Sequence, residues 1–220
     1  MTPVAAWRVL LRRAYRIIDS CRAAHVPEPE WSLGGGTALM LALDHRESRD
    51  IDIFLGDPQY VTFFSPRLND IAEELAADYV EQSNFLKLSF PEGEIDIIVA
   101  PRLTLDPFEV RELEGRLIRV ERAAEIIAKK LFYRADQLKA RDLFDLAAAL
   151  DRWPRLLADL HDLVAPKADA LRARLQDPPR QLCEDFARLE RRRTAVALDF
   201  DGARRVVLRA LSASARRRRR

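Results

Sequence analysis

Cysteine is nearly absent. The chain of 220 residues has two, Cys21 and Cys183. They lie far apart, without a C-x-x-C pair or a histidine pattern beside them. That excludes a disulfide framework and a zinc site and fits a reducing cytoplasm. Long apolar runs are also missing. Residues 1–25 read as an amphipathic helix with scattered arginines rather than a secretory signal, and no stretch reaches membrane-spanning length. The expected setting is the cytoplasm, with no membrane partner. Neither sign of charge dominates: 37 Lys and Arg face 35 Asp and Glu, leaving +2. Bulk charge therefore argues neither for nor against nucleic acid. Glycine is sparse too, seven in all, and three of the seven stand together at Gly34, Gly35 and Gly36.

What is present can build a core. Hydrophobic residues make up 48% and charged residues 33%, a globular composition. The length suits one sizeable domain or two small ones. Val4, Trp7, Leu10, Leu11, Ala14, Ile17 and Ile18 recur at helical spacing. "WSL" is a short strand candidate feeding the glycines, and "TALMLAL" can start a helix straight after them. "DIDIFL" alternates with period two, the mark of a half-buried strand. A helix is expected within 66–78, then strands at "FLKLSF", "GEIDIIVA" and "RLIRV". From Glu121 onward the segments read as helices, punctuated by prolines 154, 166, 178 and 179. The reading is an α+β region over 1–120, an all-helical region over 121–213, and a basic, disordered tail over 214–220 ending in Arg216–Arg220. "ARLERRRT" at 187–194 and "GARRVVLR" at 202–209 offer further cations for phosphates.

Two groups of residues carry chemistry. In "GGGT" the glycines permit positive φ and close approach of the backbone to a ligand. A helix starting at Thr37 would aim its unpaired N–H groups and positive dipole end at that loop, an anion site suited to a triphosphate. An ordinary tight turn would use the same residues. Asp50 and Asp52 then fall on one face of a strand. They would repel unless a cation such as Mg²⁺ sits between them, although a polar face turned to water would also explain them. Asp96, between Ile95 and Ile97, adds a third acid, and three acids can hold two metals. The second group lies at 125–150. Lys130 and Arg134 are one helical turn apart. Asp142 and Asp145 share a face of the next helix, with Arg141 placed to pair with Asp145. This group reads either as a structural ion network or as a site in which Lys130 stabilises triphosphate charge and Asp145 orients it.

These segments, "GGGTALML…HRESRDIDIF", "EIDIIV" and "EIIAKKLFYRADQLKARDLFDL", resemble the AbiEii/AbiGii-type (MenT-like) nucleotidyltransferase toxins of the DNA polymerase β nucleotidyltransferase superfamily. The resemblance runs from about Trp31 to Leu150. It implies a polymerase β-like core with a small mixed sheet, followed by an all-helical region. It also implies a toxin of a toxin–antitoxin or phage-defence system that binds ATP, CTP, GTP or UTP. Such an enzyme moves a nucleoside monophosphate with Mg²⁺ onto the 3′ end of RNA, for several members tRNA, and so blocks translation. An antitoxin protein is the implied partner. Carried over by motif, Gly35, Gly36 and Thr37 form the phosphate-binding turn, with Ser48, Lys130 and Arg134 also on the nucleotide. Ser48, Asp50, Asp52, Lys130 and Asp145 are the implied catalytic set, with Asp142 as second choice to Asp145. Asp50, Asp52 and Asp96 are the implied metal ligands. The third glycine, Gly34, departs from the motif and leaves open which two serve the ligand. Two other readings stand beside this one: transfer to a small-molecule or protein hydroxyl, and a non-catalytic module that binds RNA or an antitoxin.

Overall fold

The structure is a computed structural model and describes residues 4–23, 27, 29–192 and 198–217. It divides into two compact units. The first comprises Met1–Ala38, Ser48–Arg102 and Phe108–Arg122; the second comprises Leu39–Glu47, Leu103–Pro107 and Ala123–Arg220.

In the first unit α1 (Ala6–Ala23) buries Trp7, Leu10, Leu11, Ala14, Ile17 and Ile18, as the helical spacing predicts. Val4 precedes the helix and is exposed, so it does not belong to that stripe. There follow β1 (Trp31–Gly34), α2 (Gly35–Leu43), which belongs to this unit only up to Ala38, β2 (Ile51–Leu55), α3 (Val61–Phe64) and α4 (Asp70–Leu75). Asn69 starts α4 because its side-chain oxygen accepts the Ala72 N–H at 3.0 Å, an N-terminal cap. The chain continues through β3 (Asp78–Gln82), β4 (Phe85–Phe90), β5 (Gly93–Val99), β6 (Phe108–Leu113) and β7 (Arg116–Glu121).

The seven strands form one mixed sheet in the order β3-β4-β5-β2-β1-β7-β6. β2 runs parallel to β5 and antiparallel to β1. Alternation decides which face each side chain takes. Ile51, Ile53, Leu55, Ile95, Ile97, Leu86 and Leu88 are buried, while Asp52, Asp96 and Lys87 take the opposite face. Burying each of those aliphatic side chains contributes about 1.5–3 kcal/mol, and slipping the register by one residue would bury the acids instead.

The second unit is helical: α5 (Ala123–Arg134), α6 (Ala140–Arg152), α7 (Leu156–Asp159), α8 (His161–Val164), α9 (Ala168–Gln176), α10 (Arg180–Ala187) and α11 (Phe200–Arg217). Its centre is α6, which buries every residue from Asp142 to Leu150. Phe144 packs edge-on against Phe186 with ring centroids 5.8 Å apart. Residues 39–47 and 103–107 also belong to this unit, so it is not a simple C-terminal half. Helix α11 runs to Arg217, so residues 214–217 are helical rather than a disordered tail. Residues 218–220 of the arginine run lie outside the described residues.

Candidate active site

In the sheet unit, register lines up the chemistry. Gly34 of β1 pairs with Asp52 of β2, Asp52 with Asp96 of β5, and Asp96 with Lys87 of β4. Adjacent strands lie about 4.8 Å apart, so the two carboxylates stand side by side on one face. The glycines divide their work. A Cβ on Gly34 would run into Phe54 and the Glu121 carboxylate, so this glycine serves packing. Gly35 has φ +62°, and a Cβ there would overlap the Asp52 carboxylate. Gly35 therefore serves the close approach of backbone to acid at the start of α2. Thr37 is fully buried and its hydroxyl donates to the Asp50 carbonyl, which ties the turn to the strand.

Asp96 is electrostatically unsettled. Burial and the neighbouring Asp52 charge raise its carboxyl to about 6, with Lys87 opposing them. Its Oδ1 lies 3.5 Å from Lys87 Nζ and makes no hydrogen bond among the described residues; that distance is long for a charge-assisted bond. Lys87 is bonded more closely to Glu94. Asp50, just before β2, is held differently: its Oδ1 accepts the Glu94 N–H at 3.0 Å. Among the described residues, no group of three His, Cys, Asp or Glu side chains converges as a ready metal cage. The Asp52–Asp96 pair still fits Mg²⁺, which keeps waters and takes one or two carboxylates plus substrate phosphates rather than an all-protein cage. Two adjacent acids, one with an unbonded buried oxygen, form a donor set that a divalent cation would relieve.

The helical unit holds a buried ion cluster. Asp145 is fully buried. Its Oδ1 accepts from Arg46 Nε at 2.6 Å and lies 2.6 Å from His45 Nε2. Its Oδ2 accepts from Arg46 Nη2 at 2.9 Å and faces Lys130 Nζ at 2.9 Å. Asp142, also fully buried, has its Oδ1 2.6 Å from Lys130 Nζ and 2.7 Å from Arg134 Nη2. Its Oδ2 accepts the Lys139 N–H at 3.2 Å, where the start of α6 favours an anion. Burial alone would raise both carboxyls. Lys130 and Arg134 outweigh it at Asp142, and Lys130 and Arg46 hold Asp145 well below the usual range. The His45 ring stacks on Phe144 at 5.7 Å.

The chain matches, over residues 16–216, the family described as nucleotidyl transferase AbiEii toxin, type IV toxin–antitoxin system. It belongs to the AbiEii nucleotidyltransferase toxin family. No curated protein matches it at a significant level. Among solved structures it is similar to the antibiotic-resistance factor ANT(2″)-Ia in solution, at 15% identity and TM-score 0.47, covering 77% of this chain and 95% of that one. It is also similar to crystalline ANT(2″)-Ia in complex with adenylyl-2″-tobramycin, at 17% identity and TM-score 0.45, covering 76% and 98%. Family membership makes this AbiEii chain a transferase of nucleotides within a toxin–antitoxin system, with an antitoxin as counterpart. Among the described residues no helix is long and apolar enough to cross a membrane.

Within this AbiEii chain the expected residues fall into two sets. Asp52, Asp96 and Gly35 come together, with Thr37 and Asp50 tied at the same strand end; Gly36 follows Gly35 in α2, and Ser48 is half-buried. Lys130, Arg134, Asp142 and Asp145 come together in the other unit. One expectation fails: Arg141 is exposed, and Asp145 is held instead by Arg46 and His45. The basic cluster "HRESR" was the available signal for those two residues. Two of the arginines of 187–194 are spent on the fold, while Arg188 is exposed and residues 193–194 lie outside the described residues. Arg191 lies 5.0 Å over the Phe186 ring and 5.3 Å over Phe144, and Arg192 holds Asp44 and Glu47.

Proposed function

We propose that this AbiEii toxin transfers a nucleoside monophosphate from an NTP to the 3′ end of RNA, with tRNA the favoured acceptor, in a Mg²⁺-dependent reaction that blocks translation. The observation that carries the reading is the placement of Asp52 and Asp96 side by side next to the left-handed Gly35, in a chain of a nucleotidyltransferase family. Asp52 and Asp96 are the pair that would hold the metal, with Asp50, whose Oδ1 accepts the Glu94 N–H, as the third carboxylate of the motif. When bound, Mg²⁺ supplies neutralisation of the triphosphate and of the charge that develops as pyrophosphate leaves. The Gly35–Gly36–Thr37 turn takes phosphate oxygens on backbone N–H groups at the start of α2. Ser48 is the nearby hydroxyl of the S-x-D segment. In the helical unit Lys130 and Arg134 are the nucleotide-binding cations, and Asp145 orients Lys130. That cluster sets three cations, Arg46, Lys130 and Arg134, against Asp142 and Asp145; the excess positive charge supports an anionic ligand.

The test is total cellular RNA incubated with each labelled NTP, with and without prior periodate oxidation of 3′ ends. Label in the tRNA band that periodate abolishes is expected, together with growth arrest on expression. Label that resists periodate, or that enters only protein or small molecules, refutes the acceptor and leaves nucleotide transfer standing.

A further inference from the structure

The acceptor of the proposed reaction has to be held, and the end of α5 offers a surface for it. Ile126, Ile127 and Leu131 of this helix are buried, but Phe132 and Tyr133 are 39% and 53% exposed. Their rings meet edge to face, with centroids 5.0 Å apart and planes at 84°. Aromatic rings left in water on a helix that otherwise buries its apolar residues mark a contact surface. The surroundings are cationic. Lys167 Nζ lies 5.7 Å from the Phe132 ring centre. Arg134 is anchored on Asp142 with a third of its side chain exposed, and its Nε has no hydrogen-bond partner among the described residues. Lys139 and Arg141 are exposed. Within 129–141 Lys129 and Lys130 are buried in ion pairs, so the cations this stretch offers at its surface are Arg134, Lys139 and Arg141, against the exposed Asp136.

Rings among cations suit one kind of ligand. Unpaired bases stack on aromatic faces whatever their sequence, while phosphates follow the positive charge. A paired helix hides its base faces and would use only the cations. The tie from Arg134 to Asp142 and from there to Lys130 fixes the end of α5 before any ligand arrives, which limits the ordering cost of binding.

We infer that Phe132 and Tyr133 form a stacking platform for unpaired bases at the 3′ end of the acceptor RNA, with Lys139, Arg141 and Lys167 facing its phosphates. This inference rests on RNA being the acceptor.

The test uses the full chain without NTP and fluorescence anisotropy on one labelled RNA hairpin, made either with a short unpaired 3′ overhang or blunt. The wild type is expected to prefer the overhang. The double variant Phe132→Ser/Tyr133→Ser is expected to weaken overhang binding by about tenfold or more, from roughly 1–3 kcal/mol per stacked base. Blunt binding, the unfolding midpoint and NTP affinity should stay unchanged. Phe132→Trp/Tyr133→Trp should restore the preference. Unchanged overhang binding in the Ser variant, or equal loss for overhang and blunt RNA, overturns the platform. A change in self-association or antitoxin binding with RNA affinity intact also overturns it and makes the surface a protein interface. Label transfer separates the two readings. A wild type that labels RNA, with a Ser variant of unchanged KM for RNA, refutes the platform alone. A wild type that labels no RNA yet prefers the overhang refutes the acceptor reading, and with it the acceptor role of the platform, and leaves Phe132 and Tyr133 as a base-stacking surface only.

Discussion

Replacing Asp96 with asparagine should stabilise the metal-free protein at neutral pH while removing its response to Mg²⁺. Burial and Asp52 raise the Asp96 carboxyl from 3.8 to about 6, a shift of about two units worth about 1.4 kcal/mol each. An acid whose pKa is raised by folding binds its proton more tightly in the folded state. Folding stability therefore falls as pH rises from about 4 to about 6, and the full penalty, about 3 kcal/mol, is present above that window. The Asp96 side chain is 23% exposed, so solvent screens part of this. The substitution in turn leaves Lys87 with Glu94 as its remaining carboxylate partner. A net gain of about 1–2 kcal/mol is expected at pH 8, or roughly 3–6 °C in the unfolding midpoint for a chain of this size. Differential scanning fluorimetry in EDTA at pH 5 and pH 8 reads the first effect. The wild type should lose stability between the two values and Asp96→Asn should not. Titration with Mg²⁺ reads the second: the wild-type midpoint should rise and the variant's should rise far less. Destabilisation of Asp96→Asn at pH 8 in EDTA, or an equal Mg²⁺ response in both proteins, would refute the reasoning.

Gly35→Ala should cost about 1–3 kcal/mol in urea unfolding, because it forces a side chain into left-handed backbone, and should lower nucleotide transfer at least tenfold by displacing Asp52. Arg46→Ala should cost about 3–5 kcal/mol by the same measurement, since it leaves a buried carboxylate short of partners, while Arg141→Ala should stay within about 0.5 kcal/mol. Lys130→Ala should abolish transfer and Lys129→Ala should be milder; label incorporation with circular dichroism as the fold control checks both. Lys130 serves Asp142 and Asp145, whereas Lys129 sits 3.4 Å from Glu125. Asp142 and Asp145 are held below the ordinary value, so their stabilisation is present at neutral pH and is lost as pH falls below about 4; the acid-unfolding curve of Asp145→Asn should be flatter there than that of the wild type.

The strands that carry the acids were legible because each alternates cleanly: Ile51-Asp52-Ile53 and Ile95-Asp96-Ile97 can face the core in only one register. β6 was harder to read, since "FEVREL" breaks its alternation at Arg111-Glu112 and leaves Val110 exposed, although it ends at a Glu114-Gly115 turn with positive φ at both residues. β3 was not legible: "DYVEQ" is an edge strand with Tyr79 and Val80 left exposed, so no buried face imposes a pattern. The Lys130, Asp142 and Asp145 group was visible from helical spacing, but its completion was not. Arg141 lies one turn from Asp145 in sequence and so looked like its partner. The actual partner, Arg46, is 99 residues away and is brought there by tertiary folding, which local periodicity does not encode. The division of labour between Gly34 and Gly35 likewise depends on neighbours across the sheet, Phe54 and Asp52.

The most direct test of nucleotidyl transfer to RNA compares α-labelled with γ-labelled NTP on total RNA, in Mg²⁺ and in EDTA, for the wild type, Asp50→Asn and Asp52→Asn. The account predicts that α-label alone enters RNA, only with Mg²⁺, and that both Asn variants keep their circular dichroism spectrum and lose the signal. Incorporation of γ-label, incorporation that survives EDTA, or near-wild-type transfer by both variants would contradict it.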